Sequence, residues 1–339
     1  MFRNLALAAA IVLPIAATGA TADRQPSAVL ADLGLTKAEI ADVDAGRPVA
    51  KVLSWGNASE IFVFGAVHIN GTADGFLAAT RDVGSRSGND YLAREIPPRA
   101  TAADLGELRL EADDVKALEE CKEGDCDVQL PTASIQAFRS QVTWDAPDAA
   151  DQVNRLARGM AVRLLAAYQQ GGNPALGVYR DKKHPALVAE QFKTMVSRAS
   201  ALPDVLPELR QYLLDYPNAT LPAADSFFYW ERVSFGLKPT IRLNHAVVYR
   251  TRAGDRDAAV VAIKQLSASH YFHTALDVSV CLADAAPGAA RGYYLLTLKA
   301  SEQEGLTGFK GSILRKVVVD KTRSSLETAL AAIKRAAEQ

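Results

Sequence analysis

Cysteine, net charge and long apolar runs are all scarce in this chain of 339 residues. The chain has three cysteines, and 38 basic residues stand against 39 acidic ones, a formal charge of -1. This balance offers no basic surface for a nucleic acid, so we expect no nucleic-acid partner. Beyond the first 22 residues there is no apolar run of 18 residues, so the sequence predicts no later membrane span. A hydrophobic content of 49% is typical of a packed globular protein.

Familiar catalytic and cofactor motifs are also missing. No Gly-x-Ser-x-Gly elbow of a hydrolase occurs, and Gly308-Phe-Lys-Gly-Ser312 lacks the spacing of a phosphate-binding loop. The histidine-rich stretch His270-Tyr-Phe-His273 would place its two histidines on opposite faces of a regular strand, where they do not chelate one metal. We therefore expect neither a cofactor nor a metal site.

The first 22 residues have the pattern of a secretory signal peptide. Arg3 provides a positive charge, residues 5–17 are apolar, and Ala20-Thr-Ala22 is a cleavage site of the A-x-A type. A single membrane anchor is the alternative, but the apolar run is short for a span and contains Pro14. We expect a secreted or periplasmic mature chain from Asp23, with no stable membrane span after cleavage.

Cysteine placement agrees with export. Cys121-Lys-Glu-Gly-Asp-Cys126 is a hydrophilic turn in which Gly124 lets the chain reverse, and an oxidising compartment favours a disulfide between its ends. Two free thiols, or zinc, are the alternatives; zinc needs two further ligands, and no second Cys/His pair follows at finger-like spacing. Cys281 stands among apolar residues and is predicted to be a small buried side chain.

Hydrophobic periodicity predicts three successive regions. Residues 23–48 read as an exposed N-terminal arm with a short helix capped by Thr36. Strands are then predicted at 49–53 and 61–69, with the second covered on both faces, and a helix follows Thr72. Four further helices, at 111–121, 149–170, 184–199 and 206–216, precede four strands, at 240–250, 258–267, 270–282 and 291–299. A long helix over 311–337 closes the chain.

This order of elements predicts an α+β fold. The strands form a curved antiparallel sheet, and the amphipathic terminal helix lies across it in a helix-grip arrangement, with Leu326, Leu330 and Ile333 in the core. Residues 49–339 are predicted to be one domain, with a large helical insertion at about 100–235.

Both ends of this domain resemble a known superfamily. Phe62-Val-Phe-Gly-Ala-Val-His-Ile-Asn70 and the helix after it are similar to the first strand and helix of START-like, Bet v 1-like (SRPBCC) domains. The final strand and helix, 293–298 and 312–334, are similar to the end of those domains. The chain is also similar to secreted bacterial proteins that carry Cys121-Lys-Glu-Gly-Asp-Cys126 and Ser269-His-Tyr-Phe272. The START-like resemblance implies an apolar cavity between sheet and helix, which in many members holds a lipid or another hydrophobic ligand.

Polar residues interrupt the late apolar strands at three places: Asn244-His245, Lys264-Gln265 and Ser269-His270. We take Asn244, His245, Lys264 and His270 as the candidate ligand-binding residues. Inside a cavity they would bind the head group of an amphiphile, because buried polar groups need partners. The alternative is an ordinary solvent-facing side of the sheet.

We therefore predict a secreted or periplasmic binding protein for a hydrophobic or amphiphilic small molecule such as a lipid. One alternative is an enzyme, a cyclase or hydrolase, that uses the same cavity with His245, Lys264 or His270 in acid–base work. Another is an interaction module whose helical middle docks a partner protein.

Overall fold

The computed structural model describes residues 25–83, 87–88, 91–199, 206–234, 238–285 and 287–339. The predicted signal peptide lies outside these residues. The α+β class, the large curved antiparallel sheet and the C-terminal helix are all confirmed.

One antiparallel sheet forms the centre of the described molecule, and its strand order is β1-β2-β11-β10-β9-β8-β7-β4-β3. Its strands are β1 Val49–Leu53, β2 Glu60–Asn70, β3 Ser87–Gly88, β4 Tyr91–Ile96, β7 Asp225–Val233, β8 Thr240–Ala253, β9 Arg256–Ala268, β10 Phe272–Ala283 and β11 Gly292–Gln303. A separate two-stranded ribbon pairs β5 Val178–Tyr179 with β6 Ala186–Leu187.

Nine helices are described, and they cover both faces of the sheet. They are α1 Pro26–Asp32, α2 Lys37–Asp44, α3 Asp74–Arg81, α4 Ala112–Glu120, α5 Thr132–Gln141, α6 Ala149–Gly171, α7 Val188–Arg198, α8 Pro207–Asp215 and α9 Gly308–Ala337. A short 3₁₀ helix, Asn173–Leu176, follows α6.

Alternation along the strands divides the sheet between two helical layers. Ile61 and Val63 of β2 pack with α9, whereas Phe62 and Phe64 pack with α1, α2, α7 and α8. The prediction that this strand is covered on both faces is therefore confirmed. Because both faces of β2 are covered, its sequence does not alternate between polar and apolar residues.

Helix α9 lies over β1 and β2, where the chain leaves room for it at Gly65. A Cβ at this glycine would lie 2.8 Å from the side chains of both Leu326 and Leu330. Leu326 and Leu330 are buried, as predicted. The apolar residues in the first half of α9 do not all face the sheet, since Ile313 and Val317 are exposed.

The region 25–48 is packed rather than an exposed arm. Thr36 and Glu39 form the expected capping box at the start of α2. However, α1 precedes α2, and Leu30, Leu33 and Val43 are buried against the sheet. Small and charged residues surround these apolar side chains in the sequence, so the sequence pattern does not show that they pack against the sheet.

The helical insertion is shorter than predicted, because β7 lies inside the range assigned to it and pairs with β4 and β8. Five consecutive residues of β7, Phe227 to Glu231, are buried. A strand covered on both faces has no alternating pattern that reveals it, and its partners are distant in sequence.

Candidate functional site

A cavity of ≈ 360 Å³ lies between the helices α4 to α6 and the strands β8 and β9. Its wall is mostly apolar and includes Leu110, Phe138, Met160, Leu164, Ile241 and Leu243. Strand residues of the cavity's core cluster, such as Leu243 and Leu266, lie on the sheet face opposite α9. The cavity therefore lies under the helical middle, whereas the sequence predicted one beneath the terminal helix.

Helix α6 shapes one side of this cavity by its spacing of small and apolar residues. Ala157, Met160, Ala161 and Leu164 all line it. Positions separated by three or four residues lie on one helical face, so this face forms a continuous wall. The small side chains of Ala157 and Ala161 leave space in the cavity, since a larger side chain at either residue would enter it.

Gln129 brings a polar group to this apolar wall. Its side chain is 4% exposed, and its Nε2 donates to Ala268 O at 3.1 Å and to Phe272 O at 3.0 Å. Its Oε1 is buried and has no hydrogen-bond partner among the described residues. A buried acceptor without a donor costs free energy, so Oε1 is available for a donor brought by a ligand.

Tyr179 provides a second polar group beside Gln129. Its buried hydroxyl accepts the N–H of Ala268 at 3.4 Å, and no acceptor for its proton is found in the described part of the chain. Burial raises its pKa, so the phenol stays protonated at neutral pH. The two side chains flank the backbone of Ala268 and offer one acceptor and one donor.

The disulfide sets the position of this wall. Cys121 and Cys126 are bonded with an S–S distance of 2.04 Å, as predicted, and Cys281 is buried and free. The disulfide turn docks on the segment before the ribbon strand β6, where Cys126 N–H donates to Asp181 O at 2.9 Å. Residues 128–131, which follow the turn, are all part of the cavity wall.

His245 and Lys264 occupy a different place, a closely packed cluster that we call the lysine cluster: Tyr168, Asn173, Tyr212, Ser226, His245 and Lys264. His245 and Lys264 are cross-strand partners on β8 and β9. Lys264 Nζ donates to Asn173 Oδ1 and, at 3.3 Å, to Tyr168 OH. Asn173 Nδ2 in turn donates to Leu213 O and Leu214 O, which ties the 3₁₀ helix to α8.

The hydrogen bonds of the lysine cluster extend to the surface. Tyr168 OH lies 3.1 Å from His245 Nδ1, and His245 Nε2 lies 2.8 Å from Ser226 Oγ. With Tyr168 donating to Nδ1, the neutral ring carries its proton on Nε2 and donates it to Ser226. Ser226 is exposed, so a continuous chain of hydrogen bonds connects buried Lys264 to solvent.

Burial dominates the protonation of the lysine cluster. It lowers the pKa of Lys264 from 10.5 to about 7. Burial, together with the nearby Lys264 charge, lowers the pKa of His245 to about 3. Both pKa values are lowered because desolvation disfavours the charged form of a base. His245 is therefore neutral at pH 7, while Lys264 titrates there.

Asn244 and His270 lie outside the lysine cluster. Asn244 Nδ2 donates to Glu231 Oε1 at 3.0 Å, and Glu231 also pairs with Arg242 at 3.1 Å. His270 holds Asp114 of α4, with Nε2 3.0 Å from both carboxylate oxygens. These contacts attach neighbouring elements to one another.

The structure therefore does not bring the four predicted ligand-binding residues together. None of Asn244, His245, Lys264 and His270 is among the described residues that line the cavity. His245, Lys264 and His270 form hydrogen bonds with nearby elements instead. Asn244 is paired through Nδ2, while its Oδ1 has no partner among the described residues. The pattern of a single strand does not reveal these partners. Gln129 and Tyr179 were not predicted. The signal for Gln129 was a lone amide between Val128 and Leu130.

In the part of the chain that the structure describes, no group of three or more His, Cys, Asp or Glu residues is arranged to hold a metal ion. Among the described helices, none combines the length and the apolar character needed to cross a bilayer. Searches for relatives found no matching family model, no matching curated protein and no matching solved structure.

Proposed function

We propose that this protein binds an amphiphilic small molecule, such as a lipid, in the cavity beside Gln129. The unpaired Oε1 of Gln129 carries the proposal, because it is a buried acceptor in a mostly apolar wall. Ligand sites of about 300–1,000 Å³ with a few convergent polar groups are typical of proteins, and a cavity of ≈ 360 Å³ falls in that range. The ligand has a slender apolar body and one hydroxyl or amide donor.

A relationship to START-like domains is part of this proposal. The two segments that resemble that superfamily lie at opposite ends of the domain, and β2 pairs with β11 along its full length from Glu60↔Glu302 to Asn70↔Gly292. Helix α9 packs on β2 beside this pair. The adjacency of the first long strand, the last strand and the final helix supports a shared origin. The cavity on the opposite sheet face would be a feature of this chain's helical middle.

We also propose that the protein works outside the cytoplasm, secreted or in the periplasm. The bonded pair Cys121–Cys126 supports this location, because disulfides persist in oxidising compartments. The apolar N-terminal pattern that predicts export lies outside the described residues, so N-terminal sequencing of the exported chain is its test.

Binding is tested with a fluorescent apolar probe and a variant that fills the cavity. Ala161→Leu places a larger side chain in the wall of the cavity and should abolish saturable probe binding. Ala167→Leu makes the same change on the same helix at an exposed position outside the wall and should leave it intact. Native mass spectrometry of protein from its own host then identifies the bound molecule. Equal probe binding by the two variants would contradict this site.

A further inference from the structure

The first half of α9 carries large apolar side chains on its solvent face. Phe309 is 85% exposed, Ile313 58% and Val317 47%. Their spacing of four residues places them on one face of the helix, and Leu314, 39% exposed, lies beside them. We call these four residues the apolar stripe. Such a cluster of exposed large apolar side chains marks an interaction surface more often than a chance arrangement.

The second half of the same helix shows that the stripe is not a general property of α9. There Leu326 and Leu330 face the sheet and are buried. The exposed positions carry small or polar residues instead, among them Ser324, Ser325, Thr328 and Ala329. Within α9, exposure of large apolar side chains is therefore confined to about two and a half turns at the start of the helix.

Positive charge surrounds the apolar stripe. Lys310, Lys316 and Lys321 are exposed, and none has a hydrogen-bond or ion-pair partner among the described residues. Asp320 is the sole acidic residue within 309–321. The surface that covers the stripe should therefore be apolar inside and negatively charged at its rim.

We propose that the apolar stripe docks α9 onto an anionic lipid surface. A helix lying in the interface inserts its apolar side chains below the headgroups, while flanking lysines pair with the phosphates. A second copy of the chain fits less well, because it would bring three more lysines to the same rim. Four side chains also fall short of the roughly 800 Å² per partner that a stable dimer buries. This proposal is independent of the cavity and of its ligand.

Vesicle flotation tests the proposal with the full purified chain. We expect binding to vesicles of phosphatidylcholine mixed with phosphatidylglycerol, and much weaker binding to phosphatidylcholine alone. Replacing Lys310, Lys316 and Lys321 by Ala should reduce affinity for the anionic vesicles by about fivefold per lysine. The double variant Phe309→Ser with Ile313→Ser should abolish flotation on both kinds of vesicle.

The matched control changes the second half of the same helix. Ala329→Ser with Arg335→Ala alters one exposed apolar and one exposed basic residue there and should bind vesicles like the parent chain. All variants should retain the parent's melting temperature and its probe binding in the cavity, since the changed residues are exposed. Flotation that is insensitive to the Phe309 and Ile313 changes would overturn the proposal. So would self-association in solution that these two changes abolish, because a second copy would then be the occupant.

Discussion

Two regions beside helix α6 bury polar side chains, and they differ in how their hydrogen bonds are satisfied. In the lysine cluster, Lys264, His245 and Asn173 are all paired, with one another or with nearby backbone and tyrosine groups. In the cavity wall, Gln129 uses its amide nitrogen but leaves Oε1 without a partner among the described residues. Paired groups hold elements together, whereas an unpaired buried acceptor beside open space points to a ligand.

A substitution in the lysine cluster should lower the free energy of unfolding more than a substitution in the cavity wall. Asn173→Ala leaves Lys264 with one acceptor fewer and leaves the carbonyls of Leu213 and Leu214 without their side-chain donor. We expect the free energy of unfolding to fall by about 3 kcal/mol, because a buried network loses one member. Urea unfolding followed by circular dichroism measures it.

Asn218→Ala is the matched control, since this asparagine is exposed and its side chain has no partner among the described residues. Its effect should stay within about 0.5 kcal/mol. Equal effects of the two substitutions would show that the cluster does not stabilise the fold.

The charge of Lys264 should make stability depend on pH. Its pKa is about 7 in the folded protein and ordinarily 10.5, so between these values the unfolded chain binds more protons than the folded one. Stability from this group therefore rises with pH across that window, by about 1.4 kcal/mol per pH unit, and is lowest below pH 7.

Unfolding of the parent chain and of Lys264→Met at pH 7 and pH 8.5 isolates this effect. The parent should gain about 2 kcal/mol relative to the variant over that interval. A constant difference between the two proteins would mean that Lys264 is not desolvated in the folded state.

A substitution in the cavity wall should change ligand selectivity more than it changes the free energy of unfolding. Gln129→Leu removes the acceptor that faces no protein donor, so a medium-chain alcohol should bind about tenfold more weakly, while its methyl ether, which has no donor, should be affected little. Isothermal titration calorimetry compares the two ligands.

Gln265→Leu is the control for this change. Gln265 is also a buried glutamine, but its Oε1 accepts from Arg242 and its Nε2 donates to Phe272 O, and it does not line the cavity. Its loss should leave the preference for alcohol over ether unchanged. If both variants lose that preference equally, Gln129 is not the head-group ligand.

The smallest effect is expected at the solvent end of the lysine cluster. Ser226→Ala removes one partner of His245 Nε2, but Ser226 is exposed and Tyr212 OH remains 3.2 Å from the same nitrogen. Water can replace the lost hydroxyl, so the free energy of unfolding should change by less than about 0.5 kcal/mol. A loss as large as that of Asn173→Ala would mean that the surface end is as tightly constrained as the buried end.

Local patterns were enough to predict several elements. The four late strands, the long α9, the capping box at Thr36 and the pairing of Cys121 with Cys126 all depend on residues near one another in sequence. Strand β4 was missed, although it is only partly buried. Strand β7 was also missed, because a strand buried on both faces depends on neighbours far away in the chain. The prediction for α9 was incomplete for a related reason, since its apolar residues occupy two faces and only one packs.

By itself the sequence determined the α+β class, the antiparallel pairing of the late strands and the disulfide, because hairpin turns, strand periodicity and a five-residue spacing act locally. Only the tertiary structure decided which polar residues meet. It joined Lys264 to Asn173 across 91 residues and set Gln129 beside Ala268 across 139. Whether a buried polar atom finds a partner depends on the packing of distant elements, and in this protein that packing left Gln129 Oε1 unpaired among the described residues, beside an apolar cavity.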